Sequence, residues 1–236
     1  MTLLAWRCLA AIVALLLLAC VAEADEPRVP ASDAEVLHGD PALNNVALIF
    51  NVGAGFEPAT SILDALADRQ QHATFFVMGW WAERHPELLR QIADGGHEIA
   101  SHGHSIFDLT QASDAQVRTD LESADAAISA VTGRSTRPLW SPSAGYRDAR
   151  VRSIAASLGY RPILWTVDTA DWTAEATAES VYSHIVNLAS PGAIIVCHFD
   201  SPTSVDSTAQ VLPAAIDALR AAGYHLVTIT ELLTAT

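Results

Sequence analysis

The sequence predicts an α/β fold, a single barrel of about seven β-α units. Three observations predict it. From residue 46 onward, short apolar runs alternate with amphipathic stretches, with no repeat and no interrupting linker. The chain has 236 residues, which suits one α/β barrel better than two domains. Polar side chains gather just past the apolar runs, at Asn51, His102, His104, Asp168, Asp171, His198 and Asp200. In a closed barrel those strand ends share one face, the face on which barrel enzymes place their chemistry.

The elements follow in order. Residues 46–50 (VALIF) read as a buried strand ending at a glycine-containing turn, 51–55. Residues 58–68 read as a helix, with Ile62, Leu63, Leu66 and Ala67 on one face. Residues 73–77 (ATFFV) are the next strand, and 86–94 a helix stopped by Gly95 and Gly96. Residues 97–101 form a strand running into His102-Gly103-His104. Ser113, with Gln116 three residues later, has the form of a capping box opening a helix over 113–132. Residues 139–146 read as a strand end and turn, 149–158 as a helix and 162–167 as a strand. Helix 178–188, strand 193–198, helix 211–221, strand 225–229 and a short final helix complete the pattern.

Composition narrows the function. The chain carries 13 basic and 27 acidic side chains, a net charge of −14. That balance argues against nucleic acid and anionic membrane as partners, since both require a positive surface. Every basic residue is Arg, so a Schiff-base lysine and a phosphate-loop lysine are both excluded.

The front of the chain reads as a targeting segment. Residues 9–19 form an apolar run too short to span a bilayer but suited to a signal-peptide core. Ala22-Glu23-Ala24 has a small-x-small cleavage pattern, giving a signal peptide over 1–24. Leu17-Leu18-Ala19-Cys20 offers a second reading, a lipoprotein anchored through Cys20; an uncleaved anchor is a third. All three place the domain outside the cytoplasm, secreted, periplasmic or in the cell envelope, with no transmembrane span in a cleaved chain. Residues 25–45 carry Pro27, Pro30 and Pro41 and read as a polar, loosely ordered lead-in to a domain over 46–236. After cleavage Cys197 alone remains, inside an apolar run, and reads as a small buried hydrophobe.

Several segments carry a family resemblance: 73–77; Pro86-Glu-Leu-Leu-Arg90; Gly96-His-Glu-Ile-Ala-Ser-His102; Asp168-x-x-Asp171-Trp172; and Val196-x-His198. Together, over about residues 46–234, they resemble the polysaccharide deacetylase family, the NodB-homology domain of carbohydrate esterase family 4. The resemblance implies a distorted (β/α)7-type, TIM-like barrel. It implies metal-assisted removal of acetyl groups from amino sugars in peptidoglycan, chitin-like polymers or exopolysaccharide. It makes His198 the acid that protonates the leaving amine, Asp171 its support, and Trp172 and Val196 walls of the acetyl pocket.

Other positions depart from the family pattern. The first motif, Thr-Phe-Asp-Asp-Gly, carries the base and then a metal ligand; here Asn51 and Val52 stand in those places. The two motif histidines fall at His102 and Ile106, and the Arg that supports the base falls at Ser141. An amide takes no proton from water at useful pH, and a valine binds no cation. Asn51 is then a candidate for bonding substrate. A rebuilt site for a divalent cation such as zinc would use His102 and His104, both on one side of an extended strand, with Asp108 or Asp200. The plain alternatives are a strand-end histidine at 198, a turn carboxylate at 171, a core aromatic at 172 and a glycine turn at 51–55. Two functions follow: a hydrolase of non-peptide C–N bonds with an altered site, or a non-catalytic carbohydrate-binding envelope protein on the same fold. A metal-free hydrolase of another amide or ester is a third.

Overall fold

The computed structural model describes residues 29–55 and 57–235. The signal-peptide, lipobox and cleavage readings lie outside the described residues. Strands β1 (Asn45–Val52), β2 (Thr74–Val77), β3 (Glu98–Ser101), β4 (Leu139–Trp140), β5 (Arg161–Pro162), β6 (Val167–Asp168), β7 (Ile194–His198) and β8 (His225–Val227) form one sheet. Its order is β5-β4-β3-β2-β1-β7-β6, with β8 beside the start of β1, and every pairing is parallel. The seven strands of that order curl into a half-barrel left open between β5 and β6, with β8 off the path, the distorted α/β barrel expected from the sequence.

The connections are mostly helical: α1 (Ser61–Asp68), α2 (Gly79–Arg84), α3 (Pro86–Asp94), α4 (Asp114–Thr132), α5 (Ala149–Ser157), α6 (Ala178–Asn187), α7 (Thr208–Ala221) and α8 (Ile229–Thr234). The capping box at α4 is formed by Ser113 and Gln116, and Gly133 ends the helix at φ 71°. None of the described helices is long and apolar enough to cross a membrane.

Strand alternation divides the core in two. Val46, Leu48, Phe50 and Val52 of β1, with Phe75, Val77, Ile195 and Cys197, pack outward against the helices. Ala47 and Ile49, with Phe76, Ala100, Ile194 and Val196, fill the barrel interior. Side chains two apart share a face. Asn51 continues the inward series 47–49, His102 follows Ala100, and His198 follows Val196. Three polar residues thus arrive at the mouth of the barrel because of strand period alone. Cys197 is a fully buried free cysteine of the outer layer, where burial pushes its thiol well up.

Two segments differ from expectation. The strand read at 162–167 is split into β5 and β6. Between them Ile163 pairs with Val36, and Leu164 donates its N–H to the Val36 carbonyl. The lead-in is packed in place from residue 29. Val29 and Val36 are buried, His38 bridges Ala193, and Glu35 accepts from Arg147 at 2.9 Å. This strap lies along the side where β5 and β6 do not pair. Its small apolar content, dispersed among polar residues, gave no periodic signal.

Candidate active site

A cavity of about 430 Å³ opens at the C-terminal ends of the strands. Asn51, His102, His198 and Asp168 line it, together with Met78, Ile106 and the aromatic side chains of Tyr146, Trp165 and Trp172. Trp172 is 55% exposed and stands at the rim instead of in the core. Asn51 pairs directly with His198 across β1 and β7.

The β6–β7 side is built around Asp171, which is wholly buried. One carboxylate oxygen accepts the His198 Nδ1 proton at 2.8 Å; the other accepts the His198 backbone N–H at 2.8 Å and the Thr208 hydroxyl at 2.5 Å. The Thr203 hydroxyl donates to the Asp171 carbonyl. This fixes the imidazole with its Nδ1 proton on Asp171 and its Nε2 toward the cavity. The loop between Asp168 and Asp171 turns through Ala170, a non-glycine residue at φ 56°, whose N–H bonds back to Asp168. Left-handed backbone at such a residue costs roughly 1 kcal/mol and commonly marks a functional loop. Ala144, on the cavity wall, has φ 50°.

The β1–β4 side is different. His102 is buried, and its Nδ1 donates to the Ser141 carbonyl at 2.8 Å. Desolvation lowers its pKa to about 4, so the ring is neutral, with Nε2 an acceptor. Asn51 is 4% exposed, and its Oδ1 is buried without a partner. Ser141 is fully buried, and its hydroxyl also lacks a partner. Val52 points into the outer core, away from the cavity, and Ile106 sits on the cavity wall, 59% exposed.

The rebuilt metal site is not assembled. Gly103 has φ 81°, a left-handed turn that breaks the extended geometry on which the His102–His104 pairing depended. His104 consequently faces the other way, with its Nδ1 beside Gly79 and its ring in a separate groove with Asp120 and Thr119. Asp108 caps a short 3-10 turn through Thr110 N–H. The Asp200 carboxylate accepts the N–H groups of Gly53 and Ala54 at 3.0 Å, tying the loop after β7 to the loop after β1. No cluster of three metal-donor side chains occurs among the described residues, so the donor set does not fit a catalytic cation. Val196 is fully buried in the inner core and does not line the cavity, contrary to the wall position expected for it. Tyr146, Trp165 and Met78 were missed. They lie outside the quoted motifs, and only the folded loops bring them to the mouth.

A family model for polysaccharide deacetylases matches residues 38–163, more than half of the chain. The chain belongs to the polysaccharide deacetylase family. It is 31% identical over 193 residues to a chitooligosaccharide deacetylase of Rhizobium leguminosarum bv. trifolii, covering 77% of this chain and 88% of that protein. It is 33% identical over 200 residues to the uncharacterized protein YlxY of Bacillus subtilis, covering 84% of this chain. The match spans only 60% of YlxY's length. Among solved structures, BA3943 of Bacillus anthracis, described as a CE4 family pseudoenzyme, superposes with a TM-score of 0.78 at 28% identity. That alignment covers 85% of this chain and 69% of BA3943. A mutant of BA3943 is described as having restored enzymatic activity.

Proposed function

We propose that this chain is an extracytoplasmic member of the family that holds amino-sugar polymer at its cavity without the metal-assisted deacetylation of its relatives. One observation carries the reading: of the positions the resemblance assigns to base, metal and base support, His102 alone keeps its chemistry and faces the cavity. Val52 belongs to the outer core, and Asn51 cannot act as a base. What remains suits binding: an apolar mouth with exposed aromatic faces above a floor of polar atoms. BA3943 supports the reading as a similar fold described as a pseudoenzyme. The chitooligosaccharide deacetylase supports an amino-sugar polymer as the ligand class, and the export segment supports a place outside the cytoplasm.

The test is calorimetric binding of chitooligosaccharides and peptidoglycan fragments, alongside an acetate-release assay with and without added Zn²⁺ or Co²⁺. Binding without acetate release is expected. Acetate release that rises with metal and disappears in His102→Ala sinks the reading. A second reading, hydrolysis driven by the acid half alone, is favoured by the intact Asp171–His198 pair. It requires metal-independent turnover that His198→Ala abolishes.

A further inference from the structure

The polar floor of the cavity is short of cations and rich in acceptors. Among the described residues no Arg lines it, and its only acidic or basic side chains are His102, His198 and Asp168. Ser141, standing where the resemblance implies an Arg, brings no charge. His102 and His198 each spend Nδ1 inside the protein, on the Ser141 carbonyl and the Asp171 carboxylate, which leaves Nε2 for the cavity. Asn51 adds a carbonyl oxygen that is buried with no donor to meet it. A half-turn of the amide presents that oxygen to the cavity, since the two ends of an amide are interchangeable in shape. In that orientation the amide oxygen accepts a ligand N–H directly.

Charge points the same way. Asp168 is exposed on the wall. Asp171 lies directly behind His198, and Asp200 beneath the backbone of Gly53 and Ala54. Three carboxylates surround the floor against two imidazoles, within a chain of net charge −14. The aromatic faces of Trp172, Trp165 and Tyr146 above this floor suit a cation as well as a sugar ring.

We propose that the cavity takes the protonated primary amine of a de-N-acetylated amino sugar in preference to the N-acetylated form. The proposal rests on the glycan-binding reading above. An ammonium group brings three donors and a positive charge to a floor offering Asn51 Oδ1, two imidazole nitrogens and a nearby carboxylate. An acetamide brings one N–H, no charge and a carbonyl oxygen that meets no metal-donor set or Arg among the described residues. The chain would then read polymer on which deacetylation has already occurred.

The test compares three tetrasaccharides by calorimetry with the signal-free chain at about pH 6, where a sugar amine is protonated. They are the glucosamine, N-acetylglucosamine and glucose β-1,4 oligomers. The glucosamine oligomer is expected to bind roughly tenfold more tightly than either of the others, and to weaken as salt rises. Asp168→Asn retains an oxygen for the Ala170 N–H and should keep the fold, while lowering glucosamine affinity several-fold more than that of the other two. Asn51→Leu should abolish the preference. Equal or tighter binding of the N-acetylated oligomer overturns the amine preference and leaves the glycan-binding reading standing. Binding of none of the three overturns both.

Discussion

On the β6–β7 side of the cavity, Asp171 is completely buried and completely partnered: both carboxylate oxygens and its carbonyl accept bonds from His198, Thr208 and Thr203. On the β1–β4 side, Asn51 Oδ1 and Ser141 Oγ are equally buried and have no partner at all. The two halves share one sheet and one depth, so burial does not explain the difference. A polar network loses its worth when some members are replaced and others stay. The acid half reads as a network kept whole. On the other side Asn51 and Ser141, at positions where the family resemblance implies charged residues, hold buried polar atoms that nothing meets, while His102 keeps its bond to the Ser141 carbonyl.

Three substitutions sharpen the contrast. The largest effect is expected at Asp171. Asp171→Ala strands the His198 ring, the His198 N–H and the Thr208 hydroxyl together, and should lower stability by about 3–5 kcal/mol in urea denaturation. A loss below about 1 kcal/mol would show that the acid half is no better knit than its neighbour.

The second effect depends on pH. His102 has a folded pKa lowered to about 4 by burial, against an ordinary value of 6.5. Between those values the unfolded chain takes up a proton that the folded site refuses. Stability from this residue is therefore complete above about pH 6.5 and falls as pH drops toward 4, by about 3 kcal/mol at most. His97, also lowered to about 4, acts in the same direction. His102→Asn keeps a donor for the Ser141 carbonyl and should flatten part of the acid slope. An unchanged slope in chemical melts between pH 4 and 7 would remove His102 as its source.

The smallest effect is expected at Ser141. Its hydroxyl is buried without a partner, so Ser141→Ala should be neutral or stabilising by up to about 1 kcal/mol. Measurable destabilisation in the same melts would mean that this hydroxyl is satisfied in solution.

Much of the arrangement was legible in the chain because strand period is local. Asn51, His102 and His198 could be placed at strand ends by pattern, and the Ser113–Gln116 box set the start of α4. The pairing of Asp171 with His198 came from motif resemblance, and the geometry gives it atoms. What could not be read depends on backbone that departs from its local rule. Gly103 turns left-handed, and His104 leaves the site with it. The 162–167 run carries one apolar pattern but is divided by a long-range bridge to Val36. Helix α2 is too short to show a period. Trp172 lies in a loop, where hydrophobicity no longer implies burial.

The strap over residues 29–45 has a bearing on orientation. Residue 32 enters beside Tyr160, just ahead of β5, at the end of the barrel where the strands begin. The cavity opens where they end. The entry of the strap and the aromatic rim therefore lie at opposite ends of the barrel.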